Sequence, residues 1–327
     1  MYYFCIMEQS RVSFNDYASF LKTRFPFKVQ KLSVDGGFGC PNCDGSRGRG
    51  GCTYCNNRTF TPSYCDKGDS IAVQLRKGAE FFGKKYPDMK YLAYFQSRTN
   101  TYAPLSVLKA KYEEALCQEN IVGLVIGTRP DCVSDKLLEY LGNVAKHTFV
   151  MIEYGIESTD DHILKAINRG HDFAQSRNAI VSTANHGICT CAHIILGLPF
   201  ATRKQMLTEP AIISELPLDI LKLHQLQIVR NTAMAAQYCT DASQFPLFNS
   251  PQDYASLVID YIERLRPDIT LERFTSQSPS ELLIAPRWGM KNYQFVDMLK
   301  KMMKQRNTWQ GRLWGASEKQ ALPSLHV

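Results

Sequence analysis

Short apolar runs alternate with amphipathic stretches along most of the 327-residue chain. From Ser13 to Arg24, Phe14, Tyr17, Ala18 and Leu21 fall on one helical face, which predicts a short lead-in helix. Val29 to Val34 (VQKLSV) alternates apolar and polar residues as a strand does, then runs directly into a segment dense in glycine and cysteine. After it come a helix capped by Asp69 or Ser70 and running through Lys85, a strand at Leu92 to Phe95, a helix over Leu105 to Gln118 and a strand at Ile121 to Ile126. The alternation continues with a helix capped by Ser134 and ending near Ala145, a strand from Thr148 to Tyr154, and helices over Asp160 to Ile167 and Asp172 to Ala184. A buried strand at Cys189 to Leu196, a helix over Thr202 to Glu215 and a strand from Ile220 to Val229 complete it.

About six strand and helix units in series predict a parallel sheet, and right-handed crossovers curl such a sheet into an open or closed barrel. Active sites of barrels of this kind gather at the C-terminal ends of the strands. Beyond Arg230 the pattern loosens into a helix from Gln252 to Arg264, a strand at Ile269 to Phe274 and an amphipathic helix from Tyr293 to Gln305, read as a smaller C-terminal region. Leu322 to Val327 reads as a loose tail, and no fixed-period repeat or low-complexity tract is present.

Composition adds little. An apolar content of 44% suffices for a sizeable core, and a formal charge of +7 allows a nucleic-acid or acidic partner without arguing for one. The eleven cysteines form no regular framework, and a chain of this length has no need of disulfide staples, so a reducing, cytoplasmic setting suits them. Tyr2 to Met7 is apolar but short and lacks the marks of a secretory signal. Met7 is a second candidate start. No run reaches membrane-spanning length, and no phosphate loop or G-x-G-x-x-G is present to support nucleoside triphosphate chemistry.

The chemistry concentrates in Gly36 to Asn57, GGFGCPNCDGSRGRGGCTYCNN, where four cysteines and seven glycines leave no room for a long element. Such a segment wraps a metal. Cys40, Cys52 and Cys55 without Cys43 give three thiolates, which on a four-iron cluster leave one iron open for a substrate. With Cys43 the pattern is C-x-x-C, eight residues, C-x-x-C, which fits a closed four-thiolate zinc or iron site.

Polar residues collect where the other strands end. Gln96 follows the second strand, GTRPD (127 to 131) the third, EYGIES (153 to 158) the fourth, GLP (197 to 199) the fifth, and His224 lies in the sixth. Arg129 would pair with a carboxylate and Asp131 with an amine or hydroxyl; alternatively the two form a local ion pair closing the turn at Pro130. Glu153 and Glu157 lie on the same strand face, toward the interior, where buried carboxylates need donors or a cation. A cofactor amine, ribose hydroxyls, or a nearby lysine or arginine would meet that need. Of the two strand histidines, His193 is the stronger pocket candidate because it precedes GLP.

Taken together, GCPNCDGSRGRGGCTYCNN, GTRPD, YGIES followed by INRGH, and HIILGLP resemble the radical S-adenosylmethionine superfamily, on the branch near the elongator-type and oxygen-independent coproporphyrinogen oxidase enzymes. Within it, the chain resembles the bacterial YhcC-type group, from about Val29 to Val229. The resemblance implies an α/β fold: a partial (βα)6 TIM-like barrel over residues 29–230 with cluster loop 36–57, a lead-in over 1–28 and a C-terminal region over 231–327. It implies a [4Fe-4S] cluster on Cys40, Cys52 and Cys55, with S-adenosylmethionine bound to the open iron and cleaved reductively to a 5′-deoxyadenosyl radical. Tyr54 would lie beside the adenine, Arg169 of INRGH would neutralise the cofactor carboxylate, and Gln96, Arg129, Asp131, Glu153, Glu157 and His193 would complete the cofactor's surroundings. An electron donor such as a flavodoxin or ferredoxin is implied, acting with a substrate that is tRNA or a small molecule.

Two departures stand out: the spacing is not the superfamily's commonest, although the YhcC-type group shares the long insertion, and Cys43 occupies a position where a non-cysteine is expected. Near the C-terminus, Lys291, Lys300, Lys301, Lys304, Arg306 and Arg312 interleave with Tyr293, Trp309 and Trp314. That pattern suits RNA, or equally an amphipathic helix whose lysines face water. The rival to the enzyme is a zinc-stapled RNA-binding protein with a structural four-cysteine site.

Overall fold

The computed structural model describes residues 12–83 and 88–315. The Tyr2 to Met7 stretch, the helix end at Lys85 and the Leu322 to Val327 tail lie outside them. The elements run α1 (Tyr17–Arg24), β1 (Val29–Val34), α2 (Ile71–Gly83), β2 (Lys90–Phe95), α3 (Leu105–Leu116), β3 (Ile121–Thr128), α4 (Asp135–Ala145), β4 (Phe149–Glu157), α5 (Asp161–Ala166), α6 (Phe173–Asn185) and β5 (Cys189–Leu196). They continue with α7 (Arg203–Met206), α8 (Glu209–Ser214), β6 (Ile220–Gln225), β7 (Ile228–Val229), α9 (Ala233–Thr240), α10 (Pro251–Ile262), β8 (Thr270–Arg273), β9 (Leu283–Ala285) and α11 (Asn292–Gln305). Caps define several starts: Ser70 Oγ accepts from Val73 N at 3.2 Å, Ser134 from Leu137 N, and Asp172 and Gln175 form a capping box.

Seven parallel strands form one curled sheet in the order β1-β2-β3-β4-β5-β6-β8, a half-barrel whose edge strands are β1 and β8. Strand alternation splits the apolar residues into two cores. One face (Leu32, Val34, Phe95, Leu124, Ile152) packs under the helices, and the other (Leu92, Tyr94, Val125, Met151, Cys191, Ile220) fills the lumen. Phe20 and Phe25 meet the Phe149 ring edge-on at 6.4 and 5.6 Å and close the N-terminal end of the lumen. Burying each such side chain contributes about 1.5–3 kcal/mol, so the strands are held from both faces and their C-terminal ends become a firm rim.

Three expectations change. The sheet has seven strands, because Thr270–Arg273, assigned to the C-terminal region from the pattern, pairs with β6. The strand expected from Ile220 to Val229 is broken: Leu226 N turns back to Leu196 O, and β7 leaves to pair antiparallel with β9. The helix expected over Thr202 to Glu215 is two short ones, since Pro210 has no N–H with which to continue the first into the second.

Candidate functional site

The cysteine segment follows β1 as a set of tight turns. Cys43 N and Asp44 N donate to Cys40 O, Gly48 N to Pro41 O, and Gly51 N to Asn42 O at 2.8 Å. Gly51 has φ +74°, and a Cβ there would stand 2.9 Å from Cys43 Sγ, so both backbone and space call for glycine. The INRGH turn clasps this loop from the far side. Asn168 Nδ2 donates to Gly51 O at 2.7 Å, Thr53 N to Ile167 O at 3.0 Å, and Asn42 Nδ2 to Asn168 O at 2.7 Å.

At the C-terminal ends of the strands the loop covers a cleft of about 170 Å³, where the lining brings together Cys40, Cys52, Cys55, Tyr54, Gln96, Arg129, Glu153, Glu157, Arg169 and His193, and also Cys43. Asp131 is the sequence-predicted site residue that does not line it. Its carboxylate takes Arg129 Nε at 2.9 Å and Nη2 at 3.1 Å, with Arg47 Nε at 3.5 Å, so the local ion pair is the arrangement found. Burial pushes the Asp131 carboxyl up, but the Arg129 hydrogen bonds and charge overcome this and hold it below the usual range.

Arg169 is a buried cation rather than a surface one. Nη1 lies 3.3 Å from Cys52 Sγ, Nη2 donates to Gly155 O, and Glu157 stands 3.6 Å away. Burial opposes its charge, yet Tyr54, Cys52 and Glu157 more than offset that. Among the described residues, two nitrogens of the cleft arginines are buried without a partner, Arg129 Nη1 and Arg169 Nε. Glu157 reaches the cleft through an irregularity: the β4–β5 register slips between Gly155 and Glu157, and Glu157 has φ +70°.

Glu153 lines the cleft, and of the partners expected for it the lysines are the ones found. Its oxygens receive Lys31 Nζ at 2.5 Å, Lys222 Nζ at 2.7 Å and Tyr94 OH at 2.6 Å, with His193 Nε2 at 3.2 Å. Burial works against its charge, but Lys222 and Lys31 hold it well below the usual carboxylate range. Lys31 also bridges to Glu272 of β8 at 2.7 Å, so the network spans the lumen between the two edge strands. The sequence reading missed Lys31, Lys222, Glu272 and Asn42. The strand lysines carried a signal, since each sits at an inward position of an alternating strand, but the identity of their partners did not.

The loop thiols are not gathered as the four ligands of one ion would be. Among the described residues no three of the loop thiols lie within 4.8 Å of one another, whereas four thiolates around one zinc stand about 3.8 Å apart at Zn–S distances of about 2.3 Å. The set that is that close, Glu153, Cys191 and His193, has its carboxylate already taken by two lysines, which repel a cation. Below the cleft, a groove of about 850 Å³ opens between β1 and β8, past Tyr17, Tyr64 and Tyr293. Phe60, Tyr94 and Gln96 line both spaces and join them. No described helix is long and apolar enough to cross a membrane.

The model of the Radical SAM superfamily matches residues 42–208, and that of the Radical_SAM C-terminal domain matches 218–305. The chain is 34% identical over 301 residues to YtqA of Bacillus subtilis (strain 168), covering 92% of each protein. It is 36% identical over 275 residues to YhcC of Escherichia coli (strain K12), covering 84% of this chain and 87% of the relative. A more distant relative, the tRNA uridine(34) acetyltransferase of Dehalococcoides mccartyi (strain CBDB1), is 25% identical over 190 residues, 57% of this chain and 39% of that one. Among solved structures, Elp3 of the archaeon Methanocaldococcus infernus lacking its N-terminus superposes with a TM-score of 0.66 at 14% identity, over 91% of this chain and 69% of that one, a likeness of fold. With the half-barrel, the cysteine rim and these matches, the chain belongs to the radical SAM superfamily, in the group of YhcC and YtqA, and is an enzyme.

Proposed function

We propose that this enzyme cleaves S-adenosylmethionine reductively at a [4Fe-4S] cluster held by Cys40, Cys52 and Cys55. The observation that carries the reading is the cleft itself, where those three cysteines share one lining with two arginines that each keep a buried nitrogen unpartnered. Unpaired buried donors call for an anionic ligand, and a cofactor carboxylate is one. When bound, the cluster and cofactor supply one-electron cleavage of a sulfonium to methionine and a 5′-deoxyadenosyl radical. The chain's part is to bind and orient. Arg129 Nη1 and Arg169 Nε receive the carboxylate, Glu157 faces the amine or a ribose hydroxyl, and Tyr54 offers a ring to the adenine. Gln96 and His193 line the same cleft, and Gln96 also lines the groove.

Substrate reaches the cleft through the groove between β1 and β8. A tRNA substrate is supported by the exposed rings of Phe60, Phe81 and Tyr293 beside Lys300 along that groove, and by the likeness to a tRNA-acting relative. On α11 itself, Phe295, Leu299 and Met303 are buried while Lys300, Lys301 and Lys304 are exposed, the pattern of a packed amphipathic helix, so the helix supports this reading through its groove-lining residues Tyr293 and Lys300. A reducing cytoplasm and a flavodoxin or ferredoxin as donor fit the cluster's need of a low-potential electron.

Anaerobic reconstitution followed by S-adenosylmethionine and dithionite tests the proposal. We expect methionine and 5′-deoxyadenosine, slowly, without substrate. Their absence from protein with a fully assembled, reducible cluster would overturn it.

A further inference from the structure

The cysteine rim is not symmetric in its hydrogen bonds. Cys52 Sγ has two nitrogen donors, Arg169 Nη1 at 3.3 Å and Asn42 Nδ2 at 3.5 Å. Among the described residues, no amide or guanidinium reaches the sulfur of Cys40 or Cys55. Cys52 is also buried, while Cys40 is half-buried and Cys55 exposed.

Both donors are fixed in place. Asn42 is fully buried, and its amide must turn the NH2 group toward Asn168 O, an obligate acceptor 2.7 Å away. The oxygen on the other side of that amide fits because Gly48 and Gly170 flank it; a Cβ on either would come within 2.2 or 2.7 Å of it. Arg169 is anchored through Nη2 to Gly155 O and by Glu157, which leaves Nη1 directed at the sulfur. Asn168 and Gly170, at φ +51° and +75°, form the turn that presents Arg169 and clasps Asn42. The INRGH turn therefore delivers both donors to one cysteine.

Resting on the cluster reading above, we propose that Asn42 and Arg169 are positioning residues that set the cluster's reduction potential through the Cys52 sulfur. Hydrogen bonds to a coordinating sulfur draw electron density away from the iron and stabilise the reduced, more negative cluster, so the potential rises. A positive charge 3.3 Å from the sulfur acts in the same direction. With the donors on one ligand only, the cluster stays strongly reducing toward a sulfonium while coming within reach of a biological electron donor. Arg169 then has two faces, Nη1 toward the sulfur and the unpartnered Nε toward the cofactor.

The test is an EPR-monitored potentiometric titration of reconstituted protein without S-adenosylmethionine, with iron and sulfide measured on the same samples. Asn42→Leu and Arg169→Met are each expected to keep four irons per chain and to move the midpoint to more negative potential, whereas Arg177→Met, which removes a surface cation paired with Glu215, leaves the midpoint at the parent's value. Midpoints of Asn42→Leu and Arg169→Met that coincide with the parent's at full iron content overturn the inference. If either variant fails to hold iron, Asn42→Ser and Arg169→Lys replace it. Iron loss in all four at the parent's melting temperature means these residues hold the loop rather than tune the cluster, and also overturns it. A parent protein that assembles no four-iron cluster defeats the cluster reading instead, so the two failures are distinct.

Discussion

The cysteine rim and the charged layer beneath it are built on the same strands, yet they treat buried charge in opposite ways. In the lower layer the Glu153 carboxylate is met by the protein, through Lys31, Lys222, Tyr94 and His193, and Lys31 also has Glu272, while the buried atoms left without a partner there among the described residues, Tyr17 OH and His224 Nδ1, are on neutral groups. At the rim, Arg129 and Arg169 have carboxylate neighbours but each keeps one buried nitrogen without a partner among the described residues. A saturated network is scaffold, since it leaves nothing for a ligand to supply. An unsaturated one persists where a ligand completes it, because burying an unpaired donor costs about 1–3 kcal/mol. Sorting buried charges by saturation, rather than by position, sets Arg129 and Arg169 apart from Glu153.

The largest effect expected lies at the rim. Serine at Cys40, Cys52 or Cys55 abolishes both iron content and cofactor cleavage, while Cys43→Ser keeps both, as measured by iron and sulfide analysis and by chromatography of 5′-deoxyadenosine. Equal loss at all four positions would return the loop to a closed four-thiolate site and remove the contrast between rim and scaffold.

In the lower layer the readout is folding. Glu153→Gln leaves Lys31 and Lys222 to share Glu272, at 2.7 and 3.2 Å, as their one remaining carboxylate among the described residues, and since breaking a buried pair outright destabilises by about 3–5 kcal/mol, the expected loss is up to about that size. Chemical denaturation of the cluster-free protein measures it. A loss below about 1 kcal/mol would mean that the layer is not the brace it looks to be, and that Glu153 is free to serve a ligand.

A smaller effect sharpens the comparison with a third way of burying a carboxylate. Among the described residues Glu209 has no cation beside it; it accepts from Ser158 Oγ at 3.0 Å and Thr159 N at 3.2 Å, and its other oxygen has no partner. Burial pushes its carboxyl up to about 7. The folded chain therefore binds this proton more tightly than the unfolded chain does. The resulting stability is fully present at pH below the ordinary value of about 4.5 and is lost as pH rises through about 7, the reverse of a salt-bridged carboxylate. The loss is on the order of 3 kcal/mol. Glu209→Gln, which carries no charge at any pH, should match the parent near pH 5 and exceed it in denaturation midpoint at pH 8. Parallel pH profiles for the two proteins would show that Glu209 is already ionised in the fold.

The sequence alone determined the order of strands and helices, the site's place at the strand ends and the family, because these rest on local patterns. Periods of two and 3.6, a serine or aspartate ahead of a helix, and cysteines at set spacings are all legible within some twenty residues. It also brought ten of eleven site residues to one cleft, since the C-terminal ends of parallel strands must converge in a curled sheet. What only the tertiary structure decided depends on pairs far apart in the chain. Thr270–Arg273 became the seventh strand by pairing with β6, and Lys31 met Glu153 and Glu272 across 122 and 241 residues. Asp131 turned away from the cleft because Arg129, two residues before it, offered a bidentate partner at 2.9 and 3.1 Å in a buried setting where an ionised carboxylate must be neutralised. Residue type fixes which charges a chain has to bury, but the partner that each one takes is set by which strands the fold brings across the lumen, and no local period encodes that distance.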